Sequence, residues 1–262
     1  MYILGLLASL AICSAQQTAA PVVAPGEQIH VVSKAVSEAE AFHPTIGTPA
    51  TWAGVVLVSD DTGLDDFLRA RALDFASKGF LVVAVDPRRN IPASTSEELR
   101  HKRVIEELGG AVSYLNSWIM TPGWVAIVRY GAGGTLALDY ALADDSVRAV
   151  VVNYAPLDVE DPGVTEAHFT LLATFGALDP STPDKQTTEA IAKLRTLHVG
   201  TDVKSYPDAG HAFDREGATY NAKAAADEQK RTVDFLIFRL GPGHSNGFGS
   251  AKPNPPPALH RP

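Results

Sequence analysis

From residue 54 to residue 240 the chain alternates two hydrophobic patterns. Short β-branched runs, such as GVVLVS at 54–59, mark strands buried on both faces. Between them lie longer stretches with apolar residues near helical spacing, as at Leu64, Phe67, Leu68, Ala72, Phe75 and Ala76. The pattern predicts strands at 54–59, 80–85, 124–130, 147–154, 168–175 and 203–206. It predicts helices at 64–78, 95–119, 135–142, 187–197 and 218–240. Gly79 stops the first helix. Thr95 or Ser96 is placed to cap the second, with Glu98 in its first turn. Residues 29–42 fit an edge strand or a short helix, and the pattern does not decide. Mostly alternating strands and helices imply an α/β fold, a mostly parallel sheet with helices on both faces. Ligands of such sheets sit beyond the carboxyl ends of the strands. The loops after Ser59, Val85, Tyr130, Phe175 and Tyr206 are therefore the ones to inspect.

The flanks read differently. Residues 1–15, MYILGLLASLAICSA, are apolar, too short to span a bilayer, and end in small residues. They read as a signal peptide without a basic start, so export to a periplasm or the exterior is expected. Residues 16–50 read as a spacer and edge segment, 51–240 as the folded domain, and 241–262 as a disordered Gly/Pro-rich tail. Cys13 is the single cysteine of 262 residues. Without the leader there is no thiolate, disulfide or cysteine metal site. Membrane association is expected only if Cys13 is lipidated, and the bulky Ile12 argues against that. A net charge of −8 without a basic cluster argues against nucleic acid as a partner. No pair of histidines shows ligand-like spacing on one helix face, so no metal is expected.

The candidate chemistry gathers around the turn at 131–134, which joins the strand at 124–130 to a helix. In many hydrolases such a turn carries the nucleophile at its apex, followed later in the chain by an acid and a histidine. Asp179 follows a strand in LLATFGALDPSTP, and His211 follows one in YPDAGHAF. The carboxylate of such a set fixes the imidazole's tautomer, and the imidazole takes the nucleophile's proton. The apex itself is Gly131, which has no side chain. Ser59, Tyr130 and Thr135 are the side chains that could stand in for it. The Gly131-Ala132-Gly133 run fails as a dinucleotide fingerprint, because the third glycine would fall at Leu136.

These segments resemble the dienelactone hydrolase family of α/β-hydrolases. The likeness runs through GVVLVSDDTGLDDFLRARALDFASKGFLVVAVDP, the turn at 124–142, TFGALDPSTP and the stretch beginning YPDAGHAFDREG. It implies the α/β-hydrolase fold, without a lid because residues 157–166 are too few to form one. It implies hydrolysis of small carboxylic esters or lactones with no cofactor. By resemblance Asp179 matches the family's acid and His211 its histidine. Asp60 falls where these enzymes place a Glu near the nucleophile, and Arg88 or Arg89 where they place an Arg for the substrate carboxylate. Asp60, Arg88, Arg89 and Tyr130 are thus expected to line the ligand site. The backbone N–H groups of Asp61 and Ala132 are expected to form the oxyanion hole.

The chain departs from the family at the turn. The family reads G-x-C-x-G-G, or Ser for Cys, where this chain has Arg129-Tyr130-Gly131-Ala132-Gly133-Gly134. Gly131 replaces the nucleophile and Arg129 the first glycine. Three expectations follow. The first is a disarmed hydrolase that still binds a small carboxylate or ester. The second is an active hydrolase using another nucleophile, or a water held by His211 and Asp60. The third is a non-catalytic protein that binds a partner.

Overall fold

Eight strands form one sheet among the residues described by the computed structural model: β1 (Glu27–Val31), β2 (Ser37–Phe42), β3 (Ala53–Val58), β4 (Phe80–Val85), β5 (Val125–Tyr130), β6 (Val147–Asn153), β7 (Thr170–Gly176) and β8 (Gly200–Tyr206). The described residues are 27–31, 37–44, 52–60, 62–87, 89, 91–92, 94–118, 124–131, 134–159, 164–182 and 184–241. The leader reading at 1–15 and the tail reading at 242–262 lie outside them. The strand order is β1-β2-β4-β3-β5-β6-β7-β8. The strands β3 to β8 pair in parallel, whereas β2 runs antiparallel to both β1 and β4. Five helices cover the faces: α1 (Asp66–Ser77), α2 (Glu97–Trp118), α3 (Gly134–Ala143), α4 (Asp184–Thr196) and α5 (Ala222–Leu240). This is the α/β-hydrolase architecture expected from the sequence.

The segment that the pattern left open, 29–42, contributes to β1 and β2. Ala39 of β2 packs into one core and Phe42 into the other, and Glu40 is buried against Arg69 of α1 at 2.8 Å. β8 starts earlier than the hydrophobic pattern indicates. Its Asp202 and Lys204 are half-buried at the sheet's edge, and their polarity hides the strand. α5 starts later, at Ala222. The Asn221 side chain accepts from the Ala224 amide, while its own amide donates to the Phe213 carbonyl, so the chain at 213–221 is a turn tied to the helix start.

Each face of the sheet has its own core. One side packs Val104, Leu108 and Leu115 of α2 with Leu138 of α3 and Leu194 of α4 against the strands. The other packs Leu68 and Phe75 of α1 with Leu236 of α5. That second face also buries Arg71, Asp214 and Glu228. No helix among the described residues is long and apolar enough to cross a membrane.

Candidate active site

β7 and β8 end side by side, and the loops beyond them are stapled together by their backbones. Ala177 donates to the Tyr206 carbonyl at 2.9 Å, and Leu178 to the Ala209 carbonyl at 2.9 Å. The approach is close enough to require glycine at 176. A Cβ there would lie 2.3 Å from the Gly210 carbonyl oxygen. The result places Asp179 beside His211. Asp179 Oδ2 is 2.8 Å from His211 Nδ1. The other carboxylate oxygen accepts from the Ser181 amide at 2.8 Å and hydroxyl at 2.6 Å. Burial pushes the Asp179 carboxyl up, but the bonds from Ser181 and then His211 outweigh it. They hold its pKa below the ordinary carboxylate value. The His211 side chain is 47% exposed and stands edge-on to Tyr154, with ring centroids 5.2 Å apart. With Nδ1 on the carboxylate, Nε2 is the nitrogen for proton transfer.

Ser181 is a site residue that the sequence reading missed. Its signal was Asp179-Pro180-Ser181, in which an aspartate bonds the backbone two residues on. Ser181 Oγ also lies 3.2 Å from His211 Nδ1. It sits on the carboxylate side of the ring, so it positions the pair and is not set to attack a substrate.

The opposite half of the site is the elbow. Gly131 is buried at φ +69°, the left-handed region that such a turn demands, and its amide donates to the Asn153 carbonyl at 3.0 Å. Gly131 therefore keeps this backbone conformation despite Arg129. Arg129 is 2% exposed, and by strand alternation it faces the sheet side opposite to Tyr130. A Cβ at 131 would lie 2.9 Å from Asp60 Cβ and 3.3 Å from Asp60 Oδ2. The Asp60 side chain thus stands in the space that a nucleophile would need. It is held there by the Thr62 amide and hydroxyl, at 2.8 and 2.5 Å, and by Arg215 Nη2 at 3.3 Å. Arg215 also pairs with Asp65, the N-cap of α1, and lies 4.3 Å over the Phe67 ring. Arg215 was not singled out from the sequence. Only the fold brings it to Asp60, 155 positions earlier in the chain (215 − 60).

The stand-in nucleophiles do not meet His211. Ser59 Oγ is buried and donates to Asp86 Oδ1 at 3.2 Å. Tyr130, expected to line the ligand site, is instead wholly buried between Phe67 and Tyr154. Burial comes first in pushing its phenol well above the ordinary value, so it stays neutral. The cause is strand alternation, which turns Tyr130 into the α1/α5 core. Thr135 lines a cleft of about 390 Å³ between α2 and α3, with Arg100, Val104, Leu136 and Asp158. That cleft touches neither Asp179 nor His211, so the carboxylate–imidazole geometry marks the site better than cavity volume does. Arg89 is exposed in the turn after β4. Arg88, Asp61 and Ala132, and with them the expected oxyanion hole, lie outside the described residues. Among the described residues no cluster of His, Cys, Asp and Glu could hold a metal ion.

The chain is similar to known proteins. Over 212 residues the chain is 23% identical to a protein of Escherichia coli named "Putative carboxymethylenebutenolidase", covering 70% of this chain and 75% of that one. A protein of the same name from Salmonella typhimurium is 25% identical over 209 residues, covering 70% and 76%. A dienelactone hydrolase-like promiscuous phosphotriesterase from metagenomic libraries superposes with a TM-score of 0.69 at 20% identity, covering 82% of this chain and 98% of that one. An esterase from Thermogutta terrifontis superposes at 0.64 with 14% identity, covering 84% and 96%. The profile of the dienelactone hydrolase family matches residues 39–238, which include both halves of the site. With that match, and with the acid and histidine paired at the ends of β7 and β8, the chain belongs to the dienelactone hydrolase family.

Proposed function

We propose that this family member is a disarmed ester or lactone hydrolase, which binds a small carboxylate or ester without forming an acyl-enzyme. One observation carries the reading. The Asp179–His211 pair is assembled, but Asp60 fills the space beside Gly131 where a nucleophile would stand. Loss of a triad nucleophile costs on the order of 10⁶ in turnover in a serine protease. Ligand binding does not need that side chain. Arg215 is the cation beside this space and the natural partner for a ligand carboxylate, in exchange for Asp60. The relatives' names support the lactone and ester class. The leader at 1–15 extends the reading to an exported protein. N-terminal sequencing of the mature chain is then expected to start at Gln16.

The test is hydrolysis of simple esters and lactones by purified protein. Negligible turnover and no fluorophosphonate adduct are expected, together with a rise in Tm on adding small carboxylates. Turnover at ordinary enzyme rates that His211→Ala abolishes would overturn the reading. Failure of a carboxylate panel to shift Tm would favour the partner-binding alternative.

A second reading draws on the same carboxylate. Asp60 and His211 could hold a water between them and hydrolyse esters slowly, by general base catalysis. Its mark is a slow activity lost in both Asp60→Asn and His211→Ala, with no covalent adduct in mass spectra.

A further inference from the structure

The α1/α5 face buries a charge cluster that the site chemistry does not use. Arg71 Nη2 lies 3.1 Å from Glu228 Oε2 and 3.4 Å from Asp214 Oδ2. Both carboxylate side chains are 0% exposed. Glu228 Oε1 accepts from the Thr232 hydroxyl at 2.9 Å. The neighbours on the other elements are accounted for. Tyr130 of β5 acts on Glu228, and Tyr154, just past β6, acts on Asp214. Tyr206 at the end of β8 also feels Glu228, and its hydroxyl is engaged by Asp227 at 2.9 Å. The second cation, Arg215, pairs with Asp60 and Asp65, and its field also favours the charged forms of Asp214 and Tyr154 without an ion pair to either carboxylate of the cluster. Two fully buried carboxylates therefore share one guanidinium within ion-pair distance. Full ionisation would leave a net negative charge in a low-dielectric core, with both carboxylates drawing on a single nitrogen.

We propose that Asp214 and Glu228 share one proton near neutral pH, and that this proton holds the His211 loop to the elbow strand. The connection is short at both ends. Asp214 lies three residues past His211, and Tyr130 immediately precedes Gly131. The Tyr154 ring bridges them, 6.0 Å from Tyr130 and 5.2 Å from His211. Ala212, between His211 and the cluster, is held at φ 51°, a left-handed conformation that an alanine keeps only under restraint. Burial, opposed by Arg71, raises Glu228 from 4.5 to about 7, and burial raises Asp214 as well. A carboxyl with a raised folded pKa binds its proton more tightly when folded. Its effect on stability is most favourable below the unfolded value and declines as pH rises through the folded one.

The inference does not depend on the functional reading, and its test uses the full chain without ligand. Unfolding equilibria are measured from about pH 5 to about pH 8 for wild type and Glu228→Gln. Across that span the wild-type folding constant is expected to fall roughly a hundredfold relative to the variant. Hydrogen exchange at residues 207–221 should accelerate in the wild type over the same span, beyond its intrinsic pH dependence, and not in the variant. Infrared spectra should show a protonated-carboxyl band at about pH 6 that is lost by about pH 9 and is absent from Glu228→Gln. If Glu228→Gln does not fold, Asp214→Asn removes the competing charge and should abolish the same pH dependence. A pH-independent gap between wild type and variant, a missing infrared band, or unchanged exchange at 207–221 would each overturn the proposal.

Discussion

The two halves of the site each close a local turn on a carboxylate, but put that carboxylate to different use. On the acid–base half, Asp179 closes its own turn through the Ser181 amide and hydroxyl. It then orients His211 with its second oxygen. That half is stabilised locally and does not require a nucleophile. On the elbow half nothing local fills the space above Gly131. It is occupied by Asp60, from the loop after β3, which closes its own turn through the Thr62 amide and hydroxyl and pairs with Arg215 from the loop after β8. The acid–base apparatus can therefore persist in a chain that has lost its nucleophile. On the proposed reading one side chain is not enough to restore the elbow, because Asp60 stands within 2.9 Å of a Cβ at 131.

The largest effect expected from this difference is a gain of activity. Gly131→Ser alone should hydrolyse esters no faster than wild type, because its Cβ would lie 2.9 Å from Asp60 Cβ. Asp60→Ala would leave that Cβ in place, whereas Asp60→Gly removes it. The double variant Gly131→Ser with Asp60→Gly should gain at least about 100-fold over wild type, a fraction of what a triad nucleophile supplies. An equal gain in Gly131→Ser alone would show that Asp60 yields freely. The next effect is on stability. Gly131→Ala should cost about 1–3 kcal/mol, from its left-handed φ and the contact with Asp60. Combining it with Asp60→Gly should recover part of that cost. Urea unfolding of the four proteins measures this coupling, and strict additivity would dismiss the contact.

The sequence disclosed what depends on short stretches. β3 to β6 were legible because strands buried on both faces are nearly continuous apolar runs. Asp179 was legible because it follows such a strand, β7, and His211 because Gly210 precedes it in the turn after the short end of β8. What stayed hidden depends on distant partners. β2 reads ambiguously because Glu40 is buried, where it accepts two bonds from Arg69 of α1. Arg215 looked like one more charged residue in a loop until the fold set it against Asp60 and Asp65. Tyr130 was expected at the ligand, but a strand residue next to an apex can face either core. The pattern of apolar positions on both faces could not say which.

Smaller effects probe each half alone. Asp65→Ala removes the N-cap that accepts from the Leu68 amide, as well as the pairing with Arg215. The cap is worth about 1 kcal/mol. The ion pair adds little, because Asp65 is partly exposed and screened by solvent. The loss should appear as a lower urea midpoint, and an unchanged midpoint would remove Asp65 from the support of the elbow half.

Ser181→Ala should cost about 1 kcal/mol near neutral pH, the value of one hydrogen bond. The cost should depend on pH. The folded pKa of Asp179 is depressed, so its contribution is present above the unfolded value and is lost as pH falls through the folded one. Removing the Ser181 hydroxyl shrinks that depression. The stability gap between wild type and variant should therefore close as pH falls through the carboxylate range, as thermal unfolding can show. A gap that persists in acid would mean that Ser181 acts by packing alone. The same variant also tests the separation of the two halves. Ser181 bonds to the Asp179 oxygen that does not pair with His211, and neither Ser181 nor Asp179 has a bond to Asp60 or Arg215 among the described residues. Ser181→Ala and Asp60→Gly should then add within about 0.5 kcal/mol. A larger coupling would mean that the loops after β3 and β8 transmit strain through His211, and that the acid–base half is not independent of what fills the elbow.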